Sequence, residues 1–151
     1  MEEPTDFHRI RRSMKQKQIF VFGSNLAGKH LAGAALEALL EHGAIEGRGT
    51  GLQGNSYAIP TKNQYLQTLP LMTIDRFIKQ FIKFATVENQ FEYKVTQIGC
   101  GFAGIMPIEI APLFRGAPIN CLFDTAWKEF LGSENRKYWG TFNPKKVIRK
   151  F

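Results

Sequence analysis

The stretch Ile19-Phe-Val-Phe-Gly-Ser-Asn-Leu-Ala-Gly-Lys-His30 decides the fold of this chain. It opens with four apolar residues, 19–22, a pattern typical of a short strand that is buried on both faces. Gly23 stops the run, and from Leu31 small and apolar residues recur at helical spacing until Gly43, a natural C-terminal stop. A buried strand, a glycine-containing loop and a helix together predict the start of an α/β fold.

The rest of the chain continues this alternation of strands and helices. Helical spacing is clearest over 74–85, where apolar residues follow an i, i+3, i+4 pattern. We therefore expect a three-layer α/β/α fold with a mixed, mostly parallel sheet. The other expected elements are strands at 56–59, ended by Pro60, at 93–98 and at 119–123, and helices from Pro107 to about Phe114 and over 125–131.

Length and charge predict one α/β domain with polar ends. The 151 residues suit a single core, which we place at 19–131, between an N-terminal arm at 1–18 and a basic tail at 132–151 that docks on the domain. The net charge is +7, of which the arm holds +2, the tail +5 and the body none. A neutral body argues against a basic nucleic-acid face. Two cysteines, an acidic N-terminus and no apolar run of ~20 residues predict a cytoplasmic protein without a membrane span.

Two glycine-bearing loops, 23–30 and 99–106, follow predicted strands and precede predicted helices. A helix N-terminus offers unpaired N–H groups and a partial positive charge, and small residues let a phosphate approach them. If the two strands are neighbours, both loops open onto one crevice at the carboxyl edge of the sheet. Together with a third glycine-rich segment at 47–54, they predict a binding site for the phosphates of a nucleotide-like small molecule.

The first loop also has most of the P-loop pattern, Gly23-x-x-x-x-Gly28-Lys29, which makes a phosphotransferase an alternative. The next position should be Ser or Thr, whose hydroxyl holds magnesium. Here it is His30, and imidazole is a poor substitute for that oxygen. Asp124, at the end of an apolar strand, stands where an acidic magnesium partner would be expected.

Three segments, 19–35, 51–62 and 98–104, resemble a group of bacterial and phage proteins that in turn resemble macrodomains, compact α/β/α modules that bind ADP-ribose. The resemblance implies that Asn25 contacts the distal ribose and that 28–35 lies against the diphosphate. It also implies that 99–104 is the second phosphate loop and that Phe102 packs on the distal ribose. Two features depart from macrodomains. Residues 1–18 hold no equivalent of the aspartate that recognises adenine, and Ala32 replaces the acidic residue of hydrolytic members.

These patterns give a set of candidate site residues. His30 is the candidate general acid or base, with Asp124 as a possible orienting partner, and Asn25 is a second catalytic candidate. Cys100 is an alternative nucleophile at a helix entrance. We expect no cofactor and no metal, and weak hydrolase activity is left open. The expected ligand-binding residues are Gly23, Ser24, Asn25, Ala27, Gly28, Lys29, Gly33, Gln53, Gly99, Cys100, Gly101, Phe102, Ala103 and Gly104.

The basic tail supports a third hypothesis, a nucleic-acid-binding accessory protein. Tyr138, Trp139 and Phe142 lie among its lysines and arginines, and aromatic rings among cations can stack on single-stranded nucleic acid. The same rings can instead dock the tail on the domain while its lysines stay in water. The neutral body favours docking.

Overall fold

The structure is a computed structural model, and it describes residues 16–144. Strands and helices alternate along this part of the chain, as the sequence predicts. In chain order the elements are β1 (Gln18–Asn25), α1 (Gly33–Glu41), β2 (Gly51–Gln53), β3 (Ser56–Lys62), α2 (Leu71–Val87), β4 (Glu92–Val95), α3 (Pro107–Ile110), a 3-10 helix (Ala111–Phe114), β5 (Cys121–Asp124), a second 3-10 helix (Thr125–Trp127), α4 (Lys128–Leu131) and β6 (Lys137–Gly140).

The six strands form one sheet in the order β2-β3-β1-β4-β5-β6. β1 pairs in parallel with both β3 and β4, and β5 and β6 continue the parallel part, whereas β2 is antiparallel to β3. The predicted mixed, mostly parallel sheet is therefore confirmed. After β1, the strands β2 and β3 lie on one side of β1, and the later strands β4, β5 and β6 lie on its other side. The carboxyl ends of β1 and β4 thus meet at the point where the strand order reverses, which is where ligands bind in such sheets.

The alternating side chains of β1 build a core on each face of the sheet. Ile19 and Val21 point into the larger core, which is covered by α2 and by the first 3-10 helix. Phe20 and Phe22 point into a smaller core covered by α1. Burial on both faces explains why residues 19–22 are continuously apolar, and the arrangement matches the expected three layers.

Several boundaries differ from the sequence-based expectation. β1 does not stop at Gly23 but continues to Asn25, through a register shift between Ser24 and Asn25, and α1 begins only at Gly33. Pro60 does not end β3, which runs to Lys62. Because β2 pairs only with residues 56–58, the outer edge of β3 is without a strand at the proline, where its missing N–H is tolerated.

The tail contains a strand that the sequence analysis missed. Residues 137–140 form β6, which pairs with β5 and closes one edge of the sheet. The Trp139 indole donates a hydrogen bond of 2.9 Å to the Val95 carbonyl, and the ammonium of Lys94 lies 4.3 Å from the centre of the indole ring. These aromatic contacts belong to packing. Four of the six tail cations lie outside the described residues, so nucleic-acid binding through the tail stays a prediction.

Phe81 provides a test of the larger core, because its fully buried ring contacts those of Tyr57, Tyr93 and Phe114. We expect Phe81→Ala to lower the free energy of unfolding by about 3–5 kcal/mol in urea denaturation, since it leaves a cavity at the centre of this cluster. Met72→Ala, on the same helix but with 75% of the side chain exposed, is the control and should change stability by less than about 0.5 kcal/mol. Equal losses for both variants would contradict this description of the core.

Candidate functional site

A cavity of about 760 Å³ opens at the carboxyl edge of the parallel strands. It is bordered by the ends of β1 and β3, by the loop that follows β4 and by Asp124 at the end of β5. The first turn of α1 forms one wall, and Phe142, after β6, contributes to another. The expected crevice is therefore present, and residues from both glycine-bearing loops line it.

The two loops meet because β1 and β4 are neighbours in the sheet. Gly23 and Gly99 stand where the strands end, and a Cβ added at Gly23 would lie 3.4 Å from the Gly99 backbone nitrogen. Gly99 has a φ of +76°, and a Cβ there would come within 2.8 Å of Ile110 Cδ1. The backbone conformation at Gly99 therefore requires glycine, and this conformation turns the second loop over the cavity.

The first turn of α1 presents backbone N–H groups to the cavity. Ala32 occupies the N-cap position without a side-chain cap, and no acidic residue lies in the first turn. Within the described residues the N–H groups of Gly33, Ala34 and Ala35 have no acceptor, and all three residues line the cavity. Their small side chains leave these groups accessible, so this helix end can bind an anion.

The loop after β4 supplies a second set of donors. Its ends are fixed by hydrogen bonds from Cys100 N–H to the Gln97 carbonyl and from Ile105 N–H to the Gly99 carbonyl. Between these bonds the N–H groups of residues 101–103 donate to no other described residue. A Cβ added at Gly101 would meet no atom of the described chain within 4 Å, so the cavity is open at this point.

Two cations and one carboxylate are the charged groups of the described chain that line the cavity. Lys29 lies in the loop before α1, and Lys62 ends β3 with its ammonium 5.8 Å from the centre of the Phe102 ring. Phe102 is 75% exposed and borders the cavity. Asp124 lies on the opposite side, at the end of β5, and is fully buried. The cavity is thus cationic toward β3 and anionic toward β5.

The polar side chains at the end of β1 mostly hold the local backbone. Asn25 accepts a hydrogen bond of 3.0 Å from the Lys29 N–H and donates one of 2.9 Å to the Lys29 carbonyl. The Ser24 hydroxyl donates to the Gly49 carbonyl, and the Thr61 hydroxyl donates to the Ser24 carbonyl. Asn25 borders the cavity, but both its amide oxygen and its amide nitrogen are engaged within the loop. These bonds give Asn25 a structural role in the loop, and its contacts do not indicate a catalytic one.

His30, the candidate acid or base, does not line the cavity. Its side chain is fully buried, and its ring lies edge-on to Phe22 at 5.3 Å between centroids. Nε2 is 2.9 Å from the Ile45 carbonyl, whereas Asp124, the expected partner, belongs to the opposite side of the cavity. The loop 26–32 places this residue against Phe22, which belongs to the smaller core. The imidazole therefore has a packing role.

The same loop does not have P-loop geometry. In a P-loop the helix begins at the Gly-Lys pair, but here β1 runs to Asn25 and α1 starts four residues after Lys29. His30, in the place of the magnesium ligand, is enclosed in the core. Among residues 16–144, no group of three or more His, Cys, Asp or Glu residues could hold a metal ion.

Gln53 and Gly28, two expected site residues that do not border the cavity, contact the backbone of neighbouring loops instead. Gln53 accepts from Ile45 N–H and donates to the Arg48 carbonyl, which closes the loop 45–53. Gly28 has a φ of +71° and packs against the backbone of Gly47. The expected residues that line the cavity are Gly23, Ser24, Asn25, Lys29, Gly33, Gly99, Cys100, Gly101, Phe102 and Ala103, and those that do not are Ala27, Gly28, His30, Gln53 and Gly104.

Sequence reasoning missed several lining residues, among them Thr61, Lys62, Thr96 and Gln97. Each pair lies at or just beyond the carboxyl end of a strand, since residues 61–62 end β3 and residues 96–97 follow β4. That position is the signal that identifies them, because the carboxyl ends of parallel strands share one edge of the sheet.

Comparison of the chain with family models, with curated proteins and with solved structures gave no match. The resemblance to macrodomains therefore stays a prediction. In the part of the chain that the structure describes, no helix has the length and apolar character needed to cross a bilayer.

Gly28 tests whether the first loop needs glycine for packing. An added Cβ would lie 2.3 Å from the backbone of Gly47 and Arg48, whereas at Gly47, with a φ of +90°, it would meet no described atom within 4 Å. We expect Gly47→Ala to cost about 1–2 kcal/mol from backbone strain alone, and Gly28→Ala roughly 3 kcal/mol or more because overlap is added. Urea denaturation measures both. Equal costs would show that the contact with residues 47–48 is not what requires glycine at position 28.

Cys100 tests the nucleophile alternative. Burial, and to a smaller extent the charge of Asp124, raises the pKa of its thiol from 9.0 to about 11. Since only the thiolate reacts, we expect alkylation by iodoacetamide at pH 8 to be roughly 100-fold slower than for an unperturbed thiol, and to accelerate up to about pH 11. Peptide mapping separates Cys100 from Cys121, whose pKa burial raises to about 12. Rapid alkylation of Cys100 at neutral pH would support the nucleophile instead.

Proposed function

We propose that this protein binds a nucleotide-like ligand with a diphosphate group, for which ADP-ribose is the first candidate, in the cavity at the carboxyl edge of the sheet. One observation carries the proposal. The uncapped N–H groups of α1 and the unpaired N–H groups of residues 101–103 border the same cavity. Two sets of donors that border one cavity, at the strand-order reversal between β1 and β4, suit a group with oxygens on two adjacent phosphorus atoms.

The charges around these donors support an anionic ligand. Lys29 and Lys62 both line the part of the cavity formed by β1, β3 and the first turn of α1. The positive end of the helix dipole adds to their field, and no acidic side chain in the first turn of α1 opposes it. A phosphate placed here exchanges water for fixed N–H donors and nearby ammonium groups, which favours binding.

Cavity size and lining support a ligand larger than phosphate alone. A volume of about 760 Å³ lies within the usual range for small-molecule sites, roughly 300–1,000 Å³. Apolar groups such as Leu31, Leu66 and the exposed Phe102 ring border the cavity beside the polar donors. These surfaces suit the planar and carbon-rich parts of a nucleoside.

The Gly101→Glu variant tests the proposal by isothermal titration calorimetry with ADP-ribose, ADP and NAD. The new side chain fits sterically but places a negative charge among the loop donors, so we expect affinity to fall roughly 100-fold or more. Gly116→Glu is a matched control, because Gly116 is exposed, has no described atom within 4 Å of an added Cβ and does not line the cavity. It should bind within twofold of the wild type.

Two results would contradict the proposal. One is the absence of binding heat with all three ligands from folded wild-type protein. The other is unchanged affinity in Gly101→Glu, which would place the site elsewhere. Circular dichroism of each variant shows that the comparison is made between folded proteins.

A further inference from the structure

Leu66 has a backbone conformation that leucine rarely adopts. Its φ is +66°, in the left-handed region, where the Cβ of an L residue crowds the following carbonyl oxygen. The residues between 16 and 144 that have a positive φ are ten glycines, Asn135 and Leu66. Glycine and asparagine tolerate this conformation, so Leu66 is the one position in this part of the chain where the side chain is poorly suited to it.

The turn that contains Leu66 is held by hydrogen bonds of Asn63. The side-chain oxygen of Asn63 accepts bonds of 2.9 Å from Tyr65 N–H and of 3.0 Å from Gln67 N–H. The Asn63 N–H donates to the Gln67 carbonyl at 2.7 Å, and the Leu66 N–H donates to the Asn63 carbonyl at 3.1 Å. None of these bonds uses the Leu66 side chain. Glycine would therefore serve the turn with less strain, and the turn does not explain the leucine.

Core packing does not explain the leucine either. Leu66 is 39% exposed and belongs to neither buried core, whereas Leu69 packs against the larger one. Leu66 does line the cavity, as do two other exposed apolar residues, Leu31 and Phe102. Backbone strain is typically kept at functional sites, where it is part of how a ligand is held. The remaining use of this side chain is therefore contact with a ligand.

The loop that carries Leu66 is joined to the loop that carries the second set of phosphate donors. The hydroxyl of Thr68, two residues after Leu66, donates a hydrogen bond of 3.0 Å to the Ala103 carbonyl. Leu66 and the donor residues 101–103 also line the same cavity. A ligand that has its phosphates at these donors can therefore place its next group against Leu66.

We infer that Leu66 is an apolar contact for the nucleobase of the ligand. This inference rests on the proposed function and names the class of ligand more closely, as a nucleotide that carries a base and not a free diphosphate or a sugar phosphate. The flat face of a base is rich in carbon and gains from leaving water against an aliphatic side chain. Sugar hydroxyls placed there would lose hydrogen bonds to water without replacement.

The Leu66→Gly variant tests the inference, because it removes the side chain and suits the left-handed backbone. Titration calorimetry measures the affinities of the wild type and the variant for ADP, ADP-ribose and inorganic pyrophosphate. We expect Leu66→Gly to bind ADP and ADP-ribose roughly 10-fold more weakly, since an apolar contact is lost. Pyrophosphate has no base, so its affinity should not change. The wild type should bind ADP at least ~10-fold more tightly than pyrophosphate.

Asn135→Gly is the matched control. It also removes a side chain at a positive φ, +56°, but Asn135 does not line the cavity, so its affinities for all three ligands should equal those of the wild type. Urea denaturation adds a measurement that a purely structural role would change. Because Leu66→Gly relieves backbone strain and leaves both cores intact, its urea midpoint should equal or exceed that of the wild type.

The outcomes separate this inference from the proposed function. If Leu66→Gly binds ADP as the wild type does, the contact with the base is overturned while the site stands, and a lower urea midpoint would then assign the side chain to stability. Equal losses of affinity for ADP and pyrophosphate, or a loss for ADP-ribose alone, would place Leu66 at another part of the ligand and also overturn the inference. If the wild type binds neither ADP nor ADP-ribose, the proposed function fails and the inference fails with it.

Discussion

The parallel pairing of β1 with β3 on one side and β4 on the other is the constraint on which the rest of the structure depends. It places the strand between two cores, so its residues must be apolar on both faces, and Ile19–Phe22 meet that demand. It also brings the ends of β1 and β4 together. The close approach of Gly23 to Gly99 follows from this pairing, and so does the convergence of two loops on one cavity.

The cavity is bordered by backbone N–H groups that have no acceptor among the described residues. α1 begins without a side-chain cap, residues 101–103 keep unpaired N–H groups, and Asp124 is buried without a described cation. Buried side-chain atoms without a partner also occur away from the cavity, at His30 Nδ1 and Asn120 Oδ1. The N–H groups at the cavity differ from these atoms because a ligand can reach them and complete their hydrogen bonds, which is typical of functional sites.

Sequence periodicity was sufficient for the elements whose local pattern and tertiary surroundings agree. The helix expected over 74–85 is confirmed within α2, and Pro107 begins α3 as expected. The end of β1 could not be predicted, because its extension past Gly23 depends on pairing with β3 and on the Leu26 N–H bond to the Lys62 carbonyl. β6 was missed because its aromatic residues lie among charges and form no apolar run, so the docked tail that we expected gave no sign of a strand.

The sequence predicted which backbone loops form the candidate site, but it predicted less well which side chains belong to it. Glycine-bearing loops after strands are visible in the sequence, and most of the residues expected there line the cavity. The burial of the His30 ring depends on tertiary contacts with Phe22 and Ile45, which no local pattern encodes. The place of Asp124 beside the cavity likewise depends on strand order, which puts the end of β5 beside the loop that follows β4.

The most direct measurement is a titration of ¹⁵N-labelled wild-type protein with ADP-ribose, followed by two-dimensional NMR. The account predicts that the amide resonances of Gly33–Ala35 and of residues 101–103 shift together in one saturable transition, while those of α2, on the opposite face of the sheet, stay in place. Shifts confined to residues outside the cavity, or no shift at saturating ligand, would contradict it.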